Sequence, residues 1–536
     1  MANSKDLDAA LALWRFGLGA QEGSISAIKA DARDLLRQEI VEKAVPTPVN
    51  AQLASHADLL VALYDYQEAV RAERERPAVM PVAAAAADAA KAMAGAAGAD
   101  KPAAGSAPNE MAGMNKAGID KGPATGAQKP AGDMGMQAGA PPAQGTMPGN
   151  APPAQTAQQK PQREKPYLPQ EILLAETDAR FNGTIHQPLI GFGERLAMFW
   201  ANHFAVAISK GGDVHILAGC MEREAIRPNL FGRFEDMLVA VETHPAMLVF
   251  LDNQQSVGPN SQANRNGKRG LNENLAREIM ELHTLGVDGG YSQADVTAFA
   301  RVITGWTVYR DRKRPGPLGS FTFSDWAHEP GDQTVMGVTY ADDGLDQGKA
   351  VLRDLARHPA TARHLATKLA RHFVSDQPPK ALIDRMAAAY TKTDGDLSAV
   401  YMAMINADEA WTPQLTKVRP PLVYVTGLLR ATGLKPKPNQ ILAVLKALGQ
   451  PLWNPSGPNG FSDTTDAWAS SEGLATRIDA ANLFAHQIGG PVDPRAFAGD
   501  RFGPLLTDDT LQAISRAETK PQGLSIAFLS PEFQRA

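Results

Sequence analysis

The feature that most constrains the fold is a long low-complexity stretch in the first third of the chain. From Pro81 to Pro166 the sequence is rich in Ala, Gly, Pro and Met and contains no Leu, Phe, Trp or Tyr. Such a segment cannot bury enough apolar surface to offset the conformational entropy lost on folding, so we predict that it is disordered. The core of this 536-residue chain must then come from the segments on either side.

Helical periodicity recurs in both flanking segments, for example in "LDAALALWRFGLGA" and "GFGERLAMFWANHFAVAIS". Strand signals are confined to "GSFTFSD" and "QTVMGVTY", which predict one small hairpin around residues 319–340. We therefore predict a mainly α fold, a large multi-helix globular body with at most a small β-hairpin. Residues 1–79 are predicted to supply its N-terminal helices, 80–166 a disordered insert and 167–536 the rest of the body.

Composition excludes several classes of function. The formal charge of −5, from 53 basic and 58 acidic residues, favours no nucleic-acid partner. Cys220 is the only cysteine, so the chain has neither an internal disulfide nor a Cys-based zinc site. No apolar run reaches the roughly 18 residues that a transmembrane helix needs. The N-terminal residues lack the pattern of a secretory leader, which predicts a cytoplasmic protein.

One candidate site residue, His203, lies in "RLAMFWANHFAV". A helical wheel places it in one stripe with Leu196, Phe199 and Trp200, at the centre of the most apolar face. A histidine there is either a hydrogen-bonded core residue or a ligand or base. The polar pair Arg195 and Asn202 falls on an adjacent face, either as the rim of a pocket or in solvent, and these two with Trp200 and Trp306 are our predicted pocket residues.

The segment "NENLAREIMELHTLGVDGGYSQADVTAFARVITGW", residues 272–306, concentrates acidic residues around one histidine. On the wheel Glu278 and His283 flank a buried arc about 140° apart, so each needs partners from another segment to form a site. Glu273, Arg277 and Glu281 share the opposite face, as expected of exposed ion pairs.

A turn and a second helix follow in the same segment. Gly286 suits a left-handed helix end, and Ser292 with Asp295 predicts a capping box. An EF-hand does not fit, because apolar residues occupy its first and last ligand positions. A DNA-binding helix-turn-helix does not fit either, since the second helix offers only Arg301 as a cation.

A further candidate, His328, stands beside Glu329 in the loop "WAHEPGD". Binding groups concentrate on loops, and the competing interpretation is an ordinary surface histidine. No signature of a serine hydrolase, a nucleotide-binding loop or an HExxH zinc site occurs in the chain.

Several motifs together resemble one family. They are "LALWRFGLGA", "RLAMFWANHFAV", "IRPNLFGRFEDMLVAVETHPAMLVFLDNQQS", the whole of residues 272–306, "HEPGDQTVMG", "LARHFVSDQPP" and "LGQPLWNPSGPNGFSD". In this order they are similar to the bacterial family catalogued as domain of unknown function 1800. The sequence departs from that pattern at Asn229, where His is common, and in "HEPGDQ", where "HDxGxK" is common.

The resemblance implies a large helical protein without an assigned activity. Many relatives carry export leaders, which keeps export open as an alternative to the cytoplasm. Relatives also resemble partners of a second uncharacterised family encoded beside them, which implies a protein partner encoded nearby.

Two hypotheses about function follow. In the first, the chain is a binding or assembly protein whose polar residues fix helix packing and whose insert recruits a partner. In the second it is a metal-dependent or acid–base hydrolase, with His203, Glu278, His283 and His328 as catalytic candidates. A divalent metal would then be held by His203, His283 and Glu278, because imidazole and carboxylate together suit a borderline metal or supply a base near neutral pH.

Overall fold

The computed structural model describes residues 4–45, 47–48, 50, 52–75, 167–185 and 190–536. The predicted disordered insert, residues 80–166, lies outside the described residues, and the division of the chain at 79 and 166 stays a prediction. Residues 1–73 and 166–536 form one compact unit, which contains every site discussed below. Of the second unit, residues 74–165, the structure describes only Arg74 and Glu75, the end of a helix.

The predicted mainly α fold is confirmed. The α-helices are α1 Ser4–Leu11, α2 Ser24–Ile28, α3 Ala32–Val41, α4 His56–Glu75, α5 Leu168–Ile185, α6 Phe192–His203, α7 Gly212–Met221, α8 Phe234–Glu242, α9 Pro245–Phe250, α10 Asn274–Glu278, α11 Gln293–Val302 and α12 Leu345–Arg357. They continue with α13 Pro359–Phe373, α14 Lys380–Lys392, α15 Leu397–Ile405, α16 Pro421–Thr432, α17 Pro438–Ala447, α18 Thr465–Trp468, α19 Ser471–Ile488, α20 Pro494–Phe502, α21 Asp508–Ser515, α22 Lys520–Leu529 and α23 Pro531–Gln534.

Three π-helical turns interrupt this α-helical pattern, at Ala12–Phe16, Glu222–Ile226 and Ile279–His283. Each directly continues an α-helix, α1, α7 and α10 respectively. A π turn closes its hydrogen bonds over one more residue than an α turn and is frequent at functional sites. Short 3₁₀ segments lie at Ile208–Lys210, Arg227–Asn229, Asn253–Gln255, Gln262–Asn264, Asp408–Trp411 and Gly503–Leu505.

Two antiparallel two-stranded sheets complete the described secondary structure, β1 Trp306–Val308 with β2 Phe321–Phe323 and β3 Gln333–Val335 with β4 Val338–Tyr340. The two predicted strand segments are thus both strands, but they do not pair with each other. The β3–β4 turn has Met336 and Gly337 at positive φ, as a two-residue hairpin requires. β2 pairs with β1 instead, which begins at Trp306, shortly after α11 ends at Val302.

One hydrophobic core runs through the compact unit, with Trp14, Trp200 and Trp306 among its largest fully buried side chains. Buried arginines cross it and bind backbone carbonyls. Arg15 donates to the carbonyl oxygens of Ala410, Thr412 and Gln414. These bonds join the N-terminal helices to segments some 400 residues further along the chain, so the two flanks of the insert share one core.

Local signals that the sequence carries are also present. Ser292 Oγ accepts from the backbone N–H of Asp295, and the Asp295 carboxylate accepts from the Ser292 N–H, so the predicted capping box is confirmed. Gly286 has a φ of 87°, in the left-handed region. In the part of the chain described, no helix has the length and apolar character needed to cross a membrane.

Candidate functional sites

His203 and His283, two of the four catalytic candidates, come together with Glu242 and His364 in a group that we call the buried histidine network. We include His372 in it, because its ring packs on Phe199, as the ring of His203 does. The ring centres of His203 and His283 are 6.0 Å apart, and the ring centres of His203 and His364 are 6.3 Å apart. His283 Nδ1 donates to Glu242 Oε1 at 2.8 Å. This carboxylate fixes the ring and its tautomer, and it came from α8, a helix that sequence reading had not connected with the site.

The network satisfies the end of a helix. His203 Nε2 donates to the carbonyl of His283 at 3.1 Å, and His364 Nε2 donates to the carbonyl of Leu282 at 3.1 Å. Thr284 Oγ1 donates to the carbonyl of Ile279. The last carbonyls of a helix lack partners within it, so these side chains stabilise the π turn Ile279–His283.

Burial favours the neutral form of three histidines of the network, His203, His364 and His372. Burial holds the pKa of His203 well below its ordinary value, with Lys368 next in effect, and burial lowers the pKa of His364 to about 4. His372 has its pKa lowered to about 4 by burial, although Asp463 opposes this. Three polar atoms of the network, His203 Nδ1, His283 Nε2 and Glu242 Oε2, are buried without a hydrogen-bond partner. The lone pair on His283 Nε2 could act as a base or ligand only if the surrounding helices opened.

Glu278 immediately precedes a π turn that contains His283, so the 140° angle of an α-helical wheel does not apply to this pair. The five residues from Ile279 to His283 are a π turn, in which hydrogen bonds join residues five apart rather than four. Burial raises the pKa of Glu278, and the charge of His283 opposes that rise. No hydrogen bond between the two is present among the described residues.

The fourth catalytic candidate, His328, lies apart from the network. Its Nδ1 donates to the carbonyl of Thr304 at 3.0 Å, and its Nε2 is 3.7 Å from Asp342 Oδ1. The adjacent Glu329 is buried and accepts from the backbone and side-chain N–H groups of Asn260. The loop histidine is therefore buried, and these contacts fasten its loop to neighbouring segments.

The predicted pocket residues take different positions. Trp200 and Trp306 are fully buried, and Trp200 donates to the hydroxyl of Tyr401. Arg195 is buried, donates to the carbonyl of Gly17 and has its pKa lowered to about 10 by burial. Asn202 is half-buried and bonds both backbone groups of Phe461, at the wall of a narrow, largely apolar cavity of about 40 Å³.

A second group, which we call the open cluster, consists of His56, Glu224 and His244. Glu224 Oε2 lies 2.6 Å from His56 Nδ1 and 3.7 Å from His244 Nε2. The His56 and Glu224 side chains are 27% and 25% exposed, whereas His244 is 5% exposed. Although burial raises the pKa of Glu224, its contacts with His244 and His56 hold that pKa well below its ordinary value.

A polar cleft of about 850 Å³ lies among the described residues. It is lined by Asp252, Gln254, Gln255, Ser256, Val257, Arg269, Gly270, Asn272, Gly305, Thr307, Ser324, Trp326 and Ala327. The Trp326 ring is 53% exposed, and the guanidinium of Arg269 lies 5.5 Å from its centre. An aromatic surface beside amide and hydroxyl groups is typical of sites that bind polar ring-shaped ligands.

Buried bonds hold the walls of the cleft in place. Asn253 Nδ2 donates to the carbonyls of Ile303 and Trp306, which joins the 252–257 segment to the start of β1. Gly305 has a φ of 81°, and a Cβ there would lie 2.6 Å from the carbonyl oxygen of Ser324, so only glycine lets the two walls approach.

The family model for protein of unknown function (DUF1800) matches residues 11–535. The chain belongs to this family. No curated protein and no solved structure matches it. The DUF1800 match therefore confirms the predicted resemblance over nearly the whole chain, and the chemistry has to be inferred from the residues themselves.

Sequence reading of this DUF1800 chain missed the open cluster and the walls of the cleft. His56 and Glu224 are 168 positions apart, so no local spacing relates them. The one local signal is "THPA", in which His244 precedes a proline at the first position of α9. It marks a helix start and gives no sign of the cluster.

Proposed function

We propose that the protein binds a carbohydrate in the polar cleft. It would then be a binding protein, although its ligand is a sugar and not the protein partner of the first hypothesis. The observation that carries the proposal is the exposed side chain of Trp326 in a cleft whose polar side chains are amides, hydroxyls and two charged groups. The C–H face of a sugar packs on an indole ring, while its hydroxyls need hydrogen-bond partners on the surrounding walls.

Partners of that kind are available. Gln254 Oε1 is buried and has no hydrogen-bond partner in the protein, so a ligand hydroxyl that donates to it would remove an unfavourable state. Asp252 contributes a carboxylate to the cleft. Its φ of 59° is strained for a residue other than glycine. Its ion pair with Lys210, at 2.5 Å, holds it at the rim.

The hydrolase hypothesis has less support. His203 and His283 are enclosed by the core, and His328 is engaged with Thr304 in a separate loop. A substrate would have to displace packed helices to reach the two network histidines, whereas the cleft groups already meet solvent.

Calorimetric titration of the full chain with hexasaccharides tests the proposal. Cellohexaose and chitohexaose serve as neutral probes, and hexagalacturonate serves as an acidic one. We expect at least one to bind, and Trp326→Ala to weaken that binding at least about tenfold, since a stacked ring contributes on the order of 1 kcal/mol beyond its buried area.

Tyr167→Ala is the matched control, because Tyr167 is an equally exposed aromatic outside the cleft, and it should leave the affinity unchanged. Arg269→Gln should weaken hexagalacturonate more than the neutral sugars, since the guanidinium lies beside the indole. The proposal is abandoned if none of the three sugars binds, or if Trp326→Ala binds as tightly as the native chain.

A further inference from the structure

The open cluster brings three metal-ligating side chains together from three separate segments. His56 begins α4, Glu224 lies in the π turn Glu222–Ile226, and His244 caps α9. One ligand atom from each lies within 4.8 Å of the others, the one such grouping of three or more His, Cys, Asp or Glu among the residues described. The centres of the His56 and His244 rings are 5.3 Å apart and the ring planes are inclined at 67°, so the two rings meet edge to face and are not stacked.

The surroundings fix this arrangement. Arg223, the neighbour of Glu224, donates to the carbonyl of Ala54 and to Glu176, which holds the residues before α4 against the π turn. The backbone N–H of His56 also donates to Glu224 Oε1. Glu224 therefore binds His56 through both its backbone and its ring, and little movement is needed to spread the three ligand atoms around an ion.

His244 supplies an independent observation that points to a ligand site. Its Nδ1 accepts from the backbone N–H of Ala246, which completes the cap of α9. Its Nε2 is buried and has no hydrogen-bond partner, and the nearest charged group is Glu224, 3.7 Å away. A buried polar atom without a partner is energetically unfavourable, so we expect a ligand atom to bind His244 Nε2.

We propose that His56, Glu224 and His244 bind one divalent metal ion, with zinc as the best match. Two imidazole nitrogens and one carboxylate oxygen form a ligand set that zinc uses when a fourth position stays open to water or a ligand. Imidazole ligands also favour zinc over calcium and magnesium, which prefer oxygen. Because His56 and Glu224 are each about a quarter exposed, an ion could enter from their side.

Binding requires two protons to move. In the metal-free state the His56 proton is on Nδ1, which faces Glu224, and the His244 proton is on Nε2, since Nδ1 accepts from Ala246. A metal on these two nitrogens displaces each proton to the other nitrogen of its ring. His56 Nε2 has no hydrogen bond among the described residues, so moving the His56 proton from Nδ1 to Nε2 breaks no further hydrogen bond. At His244 the transfer breaks the hydrogen bond from the Ala246 N–H.

The test uses the full chain, stripped of metal with a chelator and titrated calorimetrically with Zn²⁺. We expect one site in the native chain, weakened at least about 100-fold in Glu224→Gln and in His244→Asn. Asn is chosen because it can keep the cap of α9 while removing the imidazole. His358→Asn is the matched control, since His358 caps α13 in the same His-Pro-Ala sequence and accepts from Ala360 N–H at 3.1 Å.

A second measurement avoids substitution altogether. In chain labelled with ¹⁵N-alanine, Zn²⁺ should shift the amide signal of Ala246, whose hydrogen bond breaks, and leave that of Ala360 unchanged. The proposal fails if Zn²⁺ affinity survives in Glu224→Gln or His244→Asn, if His358→Asn weakens it equally, or if the Ala246 signal does not respond to the metal. It is supported if the two cluster variants alone lose the site and Ala246 responds.

Discussion

The buried histidine network and the open cluster contain the same chemical pair in opposite surroundings. In the network Glu242 binds His283 Nδ1 at 2.8 Å, and both side chains are at most 1% exposed. In the open cluster Glu224 binds His56 Nδ1 at 2.6 Å, and both are about a quarter exposed. Each pair also includes a residue of a π turn. Geometry alone therefore does not separate them, and access to solvent does.

The difference lies in access to the polar atoms that lack a partner. In the network, His203 and His364 donate to the carbonyls of His283 and Leu282 and so stabilise a helix end. Three other network atoms lack a partner, but the core encloses them. In the open cluster a single carboxylate faces both rings, His244 Nε2 also lacks a partner, and a ligand can approach from the exposed side of His56 and Glu224.

The largest expected effect is the acid sensitivity of the network. His364 and His372 have pKa values lowered to about 4 by burial, against about 6.5 in an unfolded chain. Between pH 6.5 and 4 the unfolded state binds protons that the folded state does not. As the pH is lowered through this range, the free energy of unfolding therefore decreases by about 1.4 kcal/mol per pH unit for each histidine. The free energy of unfolding in urea, measured from pH 7.5 to 4, should drop by roughly 3 kcal/mol per histidine.

A variant assigns this loss to the network. His364→Asn removes one titrating group and should reduce the slope by about 1.4 kcal/mol per pH unit, even if its stability at pH 7.5 is also lower. A stability that stays constant from pH 6.5 to 4 would show that the network takes up protons while folded, and the contrast with the open cluster would then disappear.

The second effect compares the two glutamates directly. Glu242→Ala leaves the His283 Nδ1–H buried without an acceptor and should reduce the free energy of unfolding by about 2 kcal/mol or more. Glu224→Ala removes a carboxylate that is a quarter exposed, and solvent can replace part of its hydrogen bonding, so a smaller loss than that of Glu242→Ala is expected. Urea unfolding at pH 7.5 measures both, with Glu242→Gln as the variant that keeps an acceptor. Equal losses for the two alanine variants would contradict the division between a structural and an open site.

Sequence reading found the parts of these sites that depend on neighbours in the chain. The burial of His203 followed from its apolar stripe, and the capping box of Ser292 and Asp295 followed from their spacing. The position of Glu278 relative to His283 did not follow, because the wheel assumes an α-helical period and the chain adopts a π turn there. A π turn depends on tertiary partners such as His364, which come from distant helices.

The open cluster and the cleft depend even more on long-range packing. Glu224 meets His56 only because the helices on the two sides of the insert share one core. Trp306 and Trp326 are the same residue type, and no local signal shows that Trp326 is exposed while Trp306 is buried. The residue types show which chemical groups are available. Which of them can meet a ligand depends on their exposure, and that is known only from the folded structure.

The smallest expected effect concerns the two histidines that cap helices, His244 and His358. Each accepts from the backbone N–H two residues later, at 3.1 Å. Asn can accept the same hydrogen bond, so the difference in unfolding free energy between the Asn and Ala variants measures the cap alone, about 1 kcal/mol at both positions. If His244→Asn itself costs above about 2 kcal/mol more than His358→Asn, the imidazole in the open cluster supports the fold as the network does. If the two Asn variants agree within about 1 kcal/mol, the His244 ring contributes little stability beyond its cap, and its unpartnered Nε2 remains available for a metal ion.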